Sequence, residues 1–218
     1  MIVARTALLT GVLALAAGMT PAVRAQTSTS ELWPEVDVYW QPAVHQRTML
    51  ELSASTEQEG PKREATVGLY QDYLRLPDGY FRGGFRYTFS TRDASYRESR
   101  VVGEATFAAY SPPFARFVSR SRIELRYVNG AYSYRLRERI HVQRWSLAPK
   151  GPWWAPYGTV EAYYDSRYNT IARLGGRVGT ELRVRGPISS DVYVARQSNS
   201  RGEPHNVNAL GLTLRLNY

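Results

Sequence analysis

The chain has 218 residues, with 28 Lys+Arg against 19 Asp+Glu and no cysteine. That length suits one domain needing no covalent staple, and the lack of cysteine excludes a disulfide framework, a thiolate metal site and an acylated N-terminal cysteine. A mean hydropathy of −0.41 is too low for a bundle of membrane helices, and 12% aromatics are too many for a disordered basic tail.

Residues 1–25 read as a secretory leader. Arg5 gives the positive start, Ala7 to Ala17 is an apolar run too short for a permanent span, and Val23-Arg24-Ala25 offers a cleavage site before Gln26. Its removal takes away two positive charges, Arg5 and Arg24, and leaves 26–218 as a single domain. A pI near 9.9 would otherwise suggest nucleic acid. An exported chain does not meet it, so no nucleic-acid partner is expected.

Beyond the leader, period-two alternation recurs nearly to the end. Weaker segments fall near 34–40, 46–57 and 63–75. Phe81, Gly83, Phe85, Tyr87 and Phe89 then alternate with Arg82, Gly84, Arg86 and Thr88. Val101 to Phe107 follows the same grammar. So does the stretch from Phe117 to Tyr127, where Arg120, Arg122, Glu124 and Arg126 share the polar face. Tyr132, Tyr134, Leu136 and Ile140 alternate with Ser133, Arg135, Arg137 and Arg139, and Glu138 breaks the pattern, pointing to a headgroup or to Ser121 on the neighbouring strand. Segments near 158–165, 173–185 and 188–197 lead to the clearest one. There Leu210, Leu212, Leu214, Leu216 and Tyr218 lie opposite Ala209, Gly211, Thr213, Arg215 and Asn217.

Turn signals separate these runs: Pro77-Asp78-Gly79, Asn129-Gly130, Gly186-Pro187 and Ser198 to Pro204. A two-residue loop at Asn129-Gly130 sets Val128 opposite Ala131, Arg126 opposite Ser133 and Glu124 opposite Arg135. The polar faces read separately on the two strands then coincide. A three-residue loop at Gly186-Pro187 would set Arg183 opposite Asp191.

Segments of ten to fifteen residues are long for a soluble sheet and match tilted transmembrane strands, apolar outside and polar inside. The expected fold is all-β, a closed antiparallel transmembrane barrel. Eleven segments are visible, but single-chain bacterial barrels have even counts with both termini on one side. Twelve strands are therefore expected, with ten as the alternative. Either 32–41 is not a full strand, or one more strand hides in 145–157. Trp33, Trp40, Tyr80, Trp145, Trp153, Trp154, Tyr157 and Tyr163 are expected in interfacial girdles. Gly83-Gly84 and Gly175-Gly176 are expected to bend the wall.

On this face assignment arginines line the interior: Arg120, Arg122, Arg126, Arg135, Arg137, Arg139, Arg177 and Arg183, with Arg82, Arg86, Arg100, Arg173, Arg185 and Arg215. Their acid partners are Glu104, Glu124, Glu181 and Asp191, joined by Asp37, Glu51, Asp72, Glu161 and Asp165. The excess is roughly five positive charges, enough to favour anions in a low-dielectric wall. Two readings compete. One is a narrow anion-preferring channel whose guanidinium forks pass small anionic solutes. The other is a structural barrel filled with salt bridges. A lipid-modifying enzyme is a weaker third, because His45, His141 and His205 lie in no recognisable Ser-His-acid pattern. No metal spacing, phosphate loop or dinucleotide motif occurs, so no cofactor, metal or catalytic residue is assigned.

With these residues in view, the chain resembles a bacterial outer-membrane family known as domain of unknown function 2490. The resemblance rests on Leu32-Trp33 after the leader, the run Arg120-x-Arg122-x-Glu124-x-Arg126, Arg135-x-Arg137-x-Arg139, Tyr157 with Glu161, Arg177-x-Gly179, His205 and the terminal aromatic strand. It implies an outer-membrane location and a barrel, and transfers no activity. Outer-membrane lipid is the expected surrounding, and a monomer is favoured with the oligomeric state left open. The arginine-lined plan is also similar in architecture to the oligogalacturonate-specific porins, which pass acidic sugars.

Overall fold

The fold is that of a computed structural model. It describes residues 28–57, 63–76, 78–92, 96–111, 115–144, 154–201 and 204–218, without the side chains of Arg75, Ser111 and Arg185. The leader lies outside the described residues, as do Trp145 and Trp153.

Eleven strands follow one another: β1 (Ser28–Ala43), β2 (Gln46–Glu57), β3 (Arg63–Leu76), β4 (Gly79–Ser90), β5 (Arg97–Ser111), β6 (Ala115–Val128), β7 (Ala131–Arg144), β8 (Trp154–Asp165), β9 (Thr170–Arg185), β10 (Ile188–Asn199) and β11 (Asn206–Asn217). Each pairs with the next, and β1 pairs with β11, so the sheet closes on itself. Side chains alternate in and out along every strand, as the β pleat demands.

The closed all-β barrel is as expected, and among the described residues it has eleven strands, one short of twelve; 145–153 lies outside the described residues. The segment around 32–41 is a full strand, and Trp154 to Tyr157 opens β8 instead of forming a strand of its own. An odd number of antiparallel neighbours leaves the first and last strands running the same way. β1 and β11 are therefore parallel, from Ser28 opposite Asn206 to Tyr39 opposite Asn217. The two ends of the barrel chain consequently emerge at opposite mouths.

Following paired residues around the wall gives its slant. From Glu138 the row runs through Ala162, Leu174, Ser198 and Asn206 to Ser28. In the other direction it runs through Ser121, Ala105, Phe81, Tyr73 and Gln46 to Ala43. The row thus misses itself on β1 by roughly fourteen residues once the irregularity near Ala43 is discounted, which is the stagger of a strongly tilted barrel. An even stagger is also what lets inward residues meet inward residues at the seam.

Asn129 and Gly130 take left-handed backbone, φ 47° and 93°, as a two-residue hairpin requires. Val128, Arg126 and Glu124 face Ala131, Ser133 and Arg135 as the alternation demands. The Gly186-Pro187 turn is also two residues long. It sets Arg185 opposite Ile188, and after a bulge Arg183 faces Ser189 and Glu181 faces Asp191. The expected Arg183–Asp191 pairing is therefore replaced by one two residues away.

The outer surface is apolar on every strand. Leu32, Leu52, Leu69, Phe85, Val101, Ile123, Leu136, Val160, Val178, Val194 and Leu212 are all exposed, one from each strand in order. Trp40 and Trp154 stand on this face near the mouths. Among the described residues, the other expected girdle members do not. Trp33 packs inside against Tyr157, Tyr193, Ala195 and Ala209, and Tyr80 and Tyr163 also point inward, to Arg120 and Glu161. Parity explains this, because Tyr157 and Tyr163 share the odd-numbered face of Glu161 and Asp165.

Two tyrosines cap glycines on the interior face. Tyr193 sits between Gly179 and Gly211 on the flanking strands, and a Cβ on Gly179 would come within 2.6 Å of its Cβ. Tyr70 lies opposite Gly84 and leans over Gly68, where an added Cβ would meet the ring at 2.6 Å. Aromatic cover of strand glycines is a known packing device. Gly84 is thus a berth for a ring, whereas its neighbour Gly83 points outward with nothing within 4 Å. Gly175 and Gly176 carry no register shift in their pairing to β10. The wall irregularity of this hairpin lies instead at Tyr163–Tyr164, opposite Arg173–Ile171.

Candidate functional site: the charged interior

The interior is held by carboxylates that each gather several guanidiniums. Toward the mouth where β1 begins, Glu98 on β5 accepts from Arg126 and from Arg100. Asp165, at the end of β8, accepts from Arg126 at 3.0 Å, Arg135 at 3.1 Å and Arg167 at 2.9 Å. Arg126 on β6 therefore reaches past β7 to clamp β5 to β8. Glu98 is 0% and Asp165 1% exposed. Arg167, in the β8–β9 turn, is held more firmly protonated by its hydrogen bonds to Asp165.

At mid-height Glu124 lies among Arg122, Arg100 and Arg135 at 3.6, 3.7 and 4.0 Å. Glu161 takes Arg137 at 2.7 Å, Arg177 at 3.3 Å, Arg139 and the Tyr163 hydroxyl. Across the barrel Glu51 takes Arg86 at 3.2 Å and the Tyr70 hydroxyl at 2.8 Å.

Toward the mouth that ends at Tyr218, Asp72 joins Arg47 at 2.6 Å and Arg82 at 2.5 Å. Glu104 joins Arg122 at 2.6 Å and Arg120 at 3.4 Å. Arg215 bridges Glu181 at 2.9 Å and Asp191 at 3.3 Å. Gln143 and Tyr157 donate to the same two acids. Accessibility is mixed here, with Arg82 and Arg122 keeping only 5% and 7% of their side chains accessible. Arg47, Arg120 and Arg215 keep 29%, 23% and 26% of their side chains accessible, against 4% for Arg126.

Seven of the arginines singled out by alternation, Arg120, Arg122, Arg126, Arg135, Arg137, Arg139 and Arg177, thus lie inside, each within 4 Å of a carboxylate. Their proposed partners Glu104, Glu124, Glu181 and Asp191 lie there too. Arg82, Arg86, Arg100 and Arg215 are paired inside as well, and Arg173 donates to Asn199 at 2.8 Å, whereas Arg183 is not inside. It is exposed at the β9–β10 turn, in an open recess with Pro187, Ser189 and Asn217.

Alternation missed Arg47, Glu31, Glu35 and Glu98, all on inward positions. Each shares the parity of a residue already assigned inside: Arg47 with Glu51, Glu31 and Glu35 with Asp37, Glu98 with Glu104. These strands run longer than their apolar pattern, so the signal stops before the charged ends. The same parity places Glu57, Glu64 and Arg116 inside as well, so the added acids outnumber the added arginines and the positive excess of the interior narrows.

A network of this kind fits a low-dielectric space, where a lone ion is costly and a paired, hydrogen-bonded one is tolerated. His141 shares a hydrogen bond with Thr159 at 3.1 Å and lies over the Tyr157 ring. His45 and His205 sit in turns at opposite mouths. Among the described residues no group of three or more His, Asp or Glu side chains is placed to hold a metal ion. Neither a known family model nor a curated protein matches the chain.

Proposed function

We propose that this chain is an exported outer-membrane β-barrel whose lumen is sealed by its own arginine–carboxylate network, so that its role is structural. The belt of exposed Leu, Val, Ile and Phe around all eleven strands supports the membrane setting, because soluble proteins rarely leave so continuous an apolar surface bare. Strands of 12 to 16 residues are long enough to cross the hydrocarbon at a tilt. Kinship with the domain of unknown function 2490 family belongs to the same proposal.

The single observation that carries the seal is the Glu98–Arg126–Asp165 clamp. Three nearly inaccessible charged side chains link β5, β6 and β8 over one side of the interior, where water scarcely reaches them. Mature protein reconstituted in planar bilayers is expected to give no current above the lipid background. Steady current steps with anion preference would overturn the sealed reading.

They would install a second reading, a narrow anion-preferring channel for small anionic solutes. It is favoured by one feature, the accessible Arg47, Arg120 and Arg215 at the Tyr218 mouth. Under it, neutralising Arg135, Arg137 and Arg139 together lowers the anion preference. A lipid-modifying activity has no assembled triad behind it. Unchanged turnover of lipid substrates in His→Ala variants at 45, 141 and 205 would end it.

A further inference from the structure

Among the described strand residues, only two charged side chains lie on the outer face away from the strand ends: Glu138 and Arg196. Glu138 is the eighth of fourteen residues in β7, between the exposed Leu136 and Ile140. Among the described residues its side chain accepts one hydrogen bond, from the Ser121 hydroxyl at 2.8 Å. Mid-strand placement keeps it far from the headgroups. Arg196 is the ninth of twelve residues in β10, next to exposed Val194.

The two stand at similar depth. The paired row through Glu138 reaches β10 at Ser198, two residues from Arg196. The row slants toward the Ser28 mouth on that path, so the level of Glu138 on β10 falls between Val194 and Arg196. They cannot meet within one barrel, being three strands apart around a convex wall. Across the neighbouring strands each is flanked by small or polar residues. Ala105, Ser121 and Ala162 lie in the row of Glu138, and Gly176 and Asn208 flank Arg196. Small neighbours let a second wall approach closely inside lipid.

We propose that a second copy of this chain covers these faces, with Glu138 of one barrel paired to Arg196 of the next; this rests on the membrane reading above. Copies inserted in one bilayer share one orientation. A two-fold contact through β7 would set Glu138 against Glu138, and one centred on β8–β9 would leave both charges where the convex walls recede, so a head-to-tail contact is the one that joins unlike charges face to face. Faces three strands apart in an eleven-strand wall subtend roughly 100°, the corner of a closed ring of four or five copies.

The test uses the mature chain refolded into phosphatidylcholine vesicles. Protease protection reads insertion, and light scattering after mild-detergent extraction reads mass. Wild type is expected as an inserted ring. Glu138→Arg and Arg196→Glu each weaken association at least about tenfold, and the double reversal recovers it to within about threefold. Glu138→Gln and Arg196→Gln, gentler on folding, give the same losses. An inserted monomer, with Arg196 reaching a headgroup phosphate instead, overturns the inference and leaves the membrane reading standing. So does an oligomer indifferent to both reversals. A chain that fails to insert removes the membrane reading itself, and this inference with it.

Discussion

Asp165 holds three guanidiniums and has almost no access to water, so its charge has no substitute. Asp165→Asn removes the negative charge and leaves Arg126 and Arg135 crowded together inside. Breaking a buried pair from one side costs about 3–5 kcal/mol. A loss of about 3 kcal/mol is expected in urea unfolding of detergent-refolded protein. Arg167→Gln, which takes away a partner at the lip, should cost under about 1 kcal/mol. Equal losses would mean that the clamp does not depend on burial. Glycine gives a second contrast at this scale. Gly211→Ala drives a methyl into the Tyr193 ring, for which about 1–3 kcal/mol is the usual cost of overpacking. Gly83→Ala meets nothing within 4 Å and should be neutral or slightly stabilising. The same unfolding assay separates them.

At the scale of elements, the β6–β7 hairpin is the part specified most locally. Gly130 sits at φ 93°, and Asn129 both adopts left-handed backbone and accepts the Arg97 backbone N–H at 2.9 Å. Gly130→Val should cost about 1–3 kcal/mol by backbone strain and slow refolding in micelles. An unchanged midpoint would show that the register is set by the strands alone. This hairpin was legible because turn chemistry and side-chain parity are both local, and both pointed to Glu124 opposite Arg135. The Gly186-Pro187 hairpin was not, because a bulge after a two-residue turn shifts the register by one and no residue type announces it. The inward arginines were legible from period two. What each one touches was not. Arg126 reaches Asp165 from two strands away, a distance set by closure and stagger that no stretch of sequence records. Tyr157 and Tyr163 were misplaced by residue type when parity had already put them inside.

At the scale of the whole molecule, everything turns on the parallel seam. Eleven strands close only if β1 and β11 run the same way, and parallel pairing is slightly weaker per residue than antiparallel. Twelve paired positions and an unbroken register compensate by length. Alternation also survives the seam, since Leu32 meets Leu210 and Val36 meets Leu214 on the outer face while Asp37 meets Arg215 within. The chain has no cysteine, so the seam can be tested without background. Val36→Cys with Leu214→Cys places two thiols on paired outer positions, within the span a disulfide bridges. Mild oxidation of the folded protein should cross-link them in high yield and shift its migration. Val36→Cys with Leu210→Cys, offset by four residues along the strand, should stay reduced. If that offset pair cross-links and the first does not, the seam register is wrong. An even-stranded barrel, with an added strand between β1 and β11, would leave both pairs free.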